Sequence, residues 1–293
     1  MTTAVATAAV TVAPRARSGI GAFVRRHPTV VIGGALLFAI VVASIAAPWL
    51  ATVDPISINP SYRLRSPSAE NWFGTDRFGR DLYSRVIYGG RVSLIVGLSV
   101  AALSTVIGLG IGLVSGFIRT VDAVVMRVMD GMMAIPAIML AIALIALSKA
   151  SVIVVIVAVT LPEVPRVVRL VRAIVLTIRE QPYIEAATAI GTSLPRIMLL
   201  HLLPNALPPL IVQATYICAS AVLIEAALSF LGAGTPPEIP SWGNIMAESR
   251  PYFQLKPWMV LLPGLFLAVT VLAINLVGDG LRDMLDPRLA RKM

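Results

Sequence analysis

Long uncharged apolar stretches alternate along this chain with short polar ones rich in arginine. A hydrocarbon core about 30 Å thick is crossed by roughly 20 helical residues, and six runs approach or exceed that length: residues 29–47, 92–118, 131–148, 150–166, 206–231 and 258–277. The third and fourth form one run interrupted only by Lys149. Some 32 nearly uncharged residues are too many for one crossing, so the run divides there, with Lys149 at an external turn from which its long stem reaches water. Pro136 is expected to kink the third span. The first run carries a small-x-small pattern at Ser44 and Ala46, as a cleaved leader would. Its 19 or so residues exceed the 7–15 of a leader's apolar core, so it reads as a retained helix. The pattern predicts an all-α integral membrane protein with six transmembrane helices, no internal repeat and no separate soluble domain.

The polar stretches orient these spans. Arg15, Arg17, Arg25 and Arg26 precede the first run, and Arg282, Arg288, Arg291 and Lys292 follow the last. Positive charge favours the cytoplasmic side, so both termini are expected there. This gives a cytoplasmic tail at 1–28, a six-span domain at 29–279 with an external segment at 52–91 and a cytoplasmic segment at 180–204, and a second tail at 280–293. Composition supports the same picture: 57% of the 293 residues are hydrophobic and 13% charged, with a mean hydropathy of +0.87. A formal net charge of +9 raises nucleic acid as a partner. The arginines flank apolar runs instead of forming an aromatic-laced patch, and membrane topology accounts for them. The single cysteine, Cys218, excludes an intrachain disulfide and a cysteine metal cluster. With two histidines, no phosphate-binding G-x-x-x-x-G-K-[ST] loop and no H-E-x-x-H, neither catalysis nor a metal site is expected.

Within the cytoplasmic segment, Pro182 suits a first helical turn, Gly191 a left-handed stop, and Ser193 with Pro195 a second helix ending near Pro204. The first helix, about nine residues, is shorter than the roughly 12–15 at which an isolated helix becomes marginally stable in water. It is expected to dock. The residues Glu185, Ala186, Ala187, Gly191, Leu203 and Pro204 stand at the spacing E-A-A, three residues, G, nine residues, I-x-L-P, with His201 at the Ile position. That order resembles the cytoplasmic coupling motif of ABC-type import permeases. The external run Phe73 to Asp81, with Gly74, Thr75, Asp76, Gly79, Arg80 and Asp81, reads on physical grounds as a compact ion-paired turn. It looks like the F-G-T-D-x-x-G-R-D signature of the C-type permease of dipeptide and oligopeptide importers, whose close relatives handle nickel or glutathione. Leu228-Ser229-Phe230-Leu231-Gly232, then Pro236-Pro237 and Pro240-Ser241-Trp242-Gly243, is similar to the same subfamily.

The resemblance implies an ABC type I importer permease fold in which residues 185–204 couple to two ATPase subunits. ATP and Mg would then sit on those subunits and no cofactor on this chain. It further implies a homologous B-type permease, an extracytoplasmic solute-binding protein and a peptide substrate. In the external segment, Arg77, Arg80 and Asp81 are expected to form an ordered platform facing that binding protein or the cavity mouth; a loop ordered by its own ion pairs is the plainer account.

Charges within apolar runs need reasons, because each costs roughly 2.5–3.5 kcal/mol at a helix centre. Glu163 has Arg166 three residues on, an intrahelical pair. Asp122, Arg127 and Asp130 lie at helical intervals, Asp130 facing Arg127 on a solvated approach helix. Glu225 has no cation within two turns. It is expected to face the translocation pathway or the partner permease, or else to bond a hydroxyl or amide across a helix interface. A secondary transporter would need buried ion-coupling residues, for which Glu225 is the one candidate, and a scaffold subunit would not need a proline-kinked, glycine-rich core.

Overall fold

A computed structural model describes residue 24 and residues 27–285. The terminal basic residues Arg15, Arg17, Arg25, Arg26, Arg288, Arg291 and Lys292 lie outside the described residues, so the two tails are not part of the fold that follows. Among the described residues the regular structure is helical, apart from one isolated bridge between Thr75 and Asp81. The main elements are α1 (Pro28–Ile45), α2 (Ala47–Leu50), α3 (Leu82–Phe117), α4 (Arg119–Met133), α5 (Ala137–Ala146), α6 (Val152–Arg179), α7 (Pro182–Ala189), α8 (Leu194–Ile197), α9 (Leu203–Phe230), α10 (Trp242–Ser249) and α11 (Trp258–Leu285).

Helix α3 begins at Leu82, well before residue 92, because Asp81 caps it by accepting the Ser84 amide at 2.8 Å. No proline interrupts its 36 residues. The third expected span is not one kinked helix. Pro136 separates α4 from α5, and the two meet at 86°. Proline bars its predecessor from helical geometry and lacks the amide that would continue the ladder. The ten residues of α5 rise about 15 Å, half a hydrocarbon core. The fourth expected span, 150–166, continues to Arg179 as α6, through Pro162 and Pro165. Val167, Val168, Val171 and Val175 keep one face apolar and buried while arginines occupy the opposite one.

Four described helices are long and apolar enough to cross a membrane: Pro28–Ile45, Leu82–Phe117, Leu194–Phe230 and Trp258–Leu285; the bent pair α4 and α5 makes a fifth if it counts as one span. The expected count of six is therefore not reached by length and composition alone, because the first 18 residues of α6 already hold Glu163, Arg166 and Arg169.

The core is organised by α3 and α6. Gly108, Gly112 and Gly116 stand four residues apart, and a Cβ on them would come within 2.5, 2.7 and 2.7 Å of the Cβ atoms of Val167, Val171 and Val175. The valines seat in a glycine groove, the small-residue packing by which membrane helices approach closely. Helices α1, α9 and α11 close the other side of α3.

Candidate functional site

On the inner side, Arg179 at the end of α6 donates Nη1 to the carbonyls of Gly116 and Phe117 at 3.4 and 3.5 Å, finishing the C-terminus of α3. The chain then turns into α7. Its stop is a Schellman motif: Gly191 has φ +79°, its amide donates to the Thr188 carbonyl, and the Thr192 amide donates to Ala187, both at 3.0 Å. Ile184 and Ala187 of α7 are buried against the bundle, whereas Glu185 and Ala186 point outward and Ile190 is 83% exposed. A groove of about 480 Å³ runs beside this helix, lined by Phe117, Arg179, Ile184, Glu185, Thr188 and Ala189.

The expected second helix does not stop at Pro204. After α8, a π turn at Met198–Leu202 leads straight into α9, with Pro204 in its first turn. The wider turn absorbs the proline ring, and Asn205 Nδ2 donates to the His201 carbonyl at 2.7 Å. Leu203 is half-buried and Pro204 exposed. The His201 ring packs edge-on to Tyr183 of α7, with centroids 6.0 Å apart. The aromatic contact takes up the place where the motif carries Ile.

On the outer side, residues 52–81 are folded without long helices. Gly74 and Gly79 have φ of +76° and +75°. A Cβ on Gly79 would stand 1.8 Å from the Asn59 carbonyl oxygen, so only glycine fits. Asp76 accepts the amides of Phe78 and Arg80 at 2.8 and 2.9 Å and Arg80 Nε at 2.5 Å. Arg80 also pairs with Glu248 of α10, and Arg85 Nη2 reaches the same carboxylate at 3.3 Å. Thr75 receives the Arg65 amide at 2.9 Å and donates to the Tyr62 carbonyl. Asp81, besides capping α3, accepts the hydroxyls of Thr52 and Ser84. Arg80 and Asp81 are therefore buried, at 6% and 4% exposure. The segment is ordered by its own ion pairs, the plainer of the two accounts. Their charges are spent inside the chain, and the surface they support carries Trp72 and Phe78, with Arg77 half-buried over the Phe78 ring.

Trp242 of the second external signature is buried, donating Nε1 to the Val86 carbonyl at 2.9 Å. Asn244 ties the turn before α10 together through Thr235, Pro236 and Ile239. Beneath it lies Glu225, fully buried, receiving Ser93 Oγ of α3 at 3.0 Å and Ser229 Oγ at 2.8 Å. Within the chain this is the hydroxyl-bonded arrangement across a helix interface.

The approach helix differs from expectation. Asp122 pairs with Arg172 and Asp130 with Arg169 of α6, at 2.5 Å in the second case, and Arg127 takes no part. Glu163 and Arg166 form the expected pair, at 3.1 Å. Glu248, Arg85 and Ser93 escape a reading by local spacing. Their signal is fainter: Arg85 is a cation at the start of an apolar helix whose nearest acid, Asp81, caps that helix.

Long apolar helices, a short exposed helix on one side and a charge-sealed cap on the other define a multi-helix membrane protein of the transport class. The family of binding-protein-dependent transport system inner membrane components matches residues 104–291, and the chain belongs to it. The N-terminal TM domain of oligopeptide transport permease C matches residues 24–67. A probable peptide ABC transporter permease protein of Sinorhizobium fredii is 50% identical over 268 residues, 92% of each chain. The dipeptide transport system permease protein DppC of Alkalihalophilus pseudofirmus is 41% identical over 266 residues, 90% of this chain and 88% of that one. Among solved structures, the inward-facing MetNI methionine ABC transporter aligns with a TM-score of 0.55 at 23% identity, covering 69% of this chain and 96% of that one, a likeness of fold.

Proposed function

We propose that the chain is the membrane-spanning permease subunit of an ATP-driven importer, moving di- and oligopeptides that an extracytoplasmic solute-binding protein delivers. Peptide is the substrate class because both the relatives above and the permease C domain are named for it. In this reading α4 with α5 and α6 are also crossings, which brings the spans to six and both termini to the cytoplasm. The observation that carries the coupling is α7 itself. Eight residues, too short to stand alone, are held by Ile184 and Ala187 from above and present Glu185, Ala186 and Ile190 below. Two ATPase subunits, which hold the ATP and Mg, dock there. Their closure moves α7 and with it α6, which carries the bundle from inward-open to outward-open. A homologous B-type permease completes the pathway, and this chain supplies no catalytic group.

The test is uptake of labelled peptide into proteoliposomes holding this chain with its co-expressed partner subunits, with binding protein outside and ATP inside. Uptake is expected to require ATP and to vanish in Gly191→Val, with membrane insertion retained. Peptide uptake without ATP would overturn the importer reading. Nickel or glutathione uptake by the same vesicles, without peptide uptake, would redirect the substrate.

A further inference from the structure

The charged side chains of α6 rise along one helix at Arg172, Arg169 and Arg166. Their depth can be read against α3. Arg172 lies beside Gly116, near the inner end, whereas Val167 lies beside Gly108. Gly108 is ten residues, or about 15 Å, above Ile118, where the apolar run of α3 ends. Arg166 therefore stands about 15 Å along the bundle from the end of that apolar run, and its side chain is 50% exposed. A guanidinium held against lipid at that depth is costly, and intramembrane arginines face water or a partner. Two further polar features lie on the same open wall. Arg169 and Asp130, one turn lower, are themselves 44% and 58% exposed. Pro165 removes the helical donor from the carbonyl of Leu161, a residue that is 38% exposed.

The three cations are not equivalent. Arg172 engages Asp122 through Nε and Nη2, and Arg169 engages Asp130 through Nη2. Arg166 uses Nη1 alone, on both oxygens of the fully buried Glu163 at 3.1 and 3.2 Å. Its Nε and Nη2 carry no bond among the described residues, and the planar fork of a guanidinium matches a carboxylate.

Resting on the peptide-importer reading, we propose that Arg166 is a substrate-contacting residue of the translocation pathway and takes the C-terminal carboxylate of the passing peptide. Every peptide carries that group, ionised at neutral pH, so the contact is indifferent to sequence. Glu163 behind the guanidinium offsets its charge and keeps the hold weak enough for release, as conduction requires.

The experiment uses the reconstituted transporter described above with a free-carboxylate peptide. Arg166→Gln is expected to lower maximal uptake about tenfold, the scale of one charge-assisted hydrogen bond, while ATP hydrolysis stimulated by loaded binding protein continues. Arg166→Lys restores most of the uptake. Because Arg166→Gln leaves Glu163 buried without its partner, the double variant Glu163→Gln with Arg166→Gln separates the roles. Uptake that stays low in the double variant supports a ligand contact, whereas recovery to the unaltered level overturns it in favour of a structural ion pair. Arg166→Cys in a Cys218→Ala background should react with a membrane-impermeant thiol reagent from the inner side, and peptide should protect it. No labelling would overturn the proposal. Absence of peptide uptake by the unaltered transporter would overturn the importer reading instead, whatever the thiol reagent shows.

Discussion

The segment at 52–81 and the segment at 182–204 both depend on a left-handed glycine, yet they meet opposite surroundings. Around Gly79 the chain is closed so tightly that a methyl group would overlap a carbonyl; around Gly191 nothing lies within 4 Å of where a Cβ would be. The segment at 52–81 pairs its buried charges within the chain, Asp76 with Arg80 and Glu248 with Arg80 and Arg85, although Arg85 Nε and Nη1 carry no hydrogen bond. The segment at 182–204 leaves Glu185 and Ile190 to solvent. A segment whose charges pair within the chain fixes the ends of helices. One left incomplete is built for a partner to finish.

Substitution at the two glycines is the strongest way to break this contrast. Gly79→Ala should cost more than about 4 kcal/mol and remove folded protein from the membrane, because a backbone carbonyl cannot step aside. Gly191→Ala should cost only the left-handed strain of about 1–2 kcal/mol. The yield of folded, detergent-extractable protein compares the two variants directly, and equal losses would erase the distinction. Next in size is Glu248→Ala, which strips Arg80 and Arg85 of a shared anion and should destabilise by about 3–5 kcal/mol. By thermal unfolding, as for Glu248→Ala, Glu225→Gln should cost about 1 kcal/mol, since it keeps an acceptor for one serine, and should leave uptake nearly normal.

On the inner side, Ile190→Ser should leave stability within about 0.5 kcal/mol, as exposed positions do, while reducing co-purification of the ATPase subunits. Retained co-purification would place the docking contact elsewhere. The smallest effect is at Asp122, a pair whose exposure limits it to about 1 kcal/mol or less. Thermal unfolding of Asp122→Asn beside the unaltered chain measures it, and a loss as large as that of Glu248→Ala would overturn the ranking.

Much of this was legible in the chain because helices in lipid must be apolar over a fixed length, and a left-handed stop asks for glycine. Gly191 and the pair Glu163–Arg166 follow from local spacing alone. What stayed hidden depends on distant partners. Nothing near Arg80 announces Glu248, 168 residues away, and so the burial of this network has no local signal. The reach of α6 past Arg166 was masked because its arginines cancel the hydropathy of Val167, Val171 and Val175, although their period is helical. Pro204 misled for a different reason: a π turn lets a proline ring pass where an α-helix would break.

The uninterrupted length of α3 has a mechanical consequence. Thirty-six residues make a beam of about 54 Å, anchored by Asp81 at its outer end and held at its inner end by Arg179, three residues before α7 begins. With no proline along its span, a displacement at the Phe117 end is transmitted to the Leu82 end as a tilt of one continuous helix, and the glycine groove on α6 tilts with it.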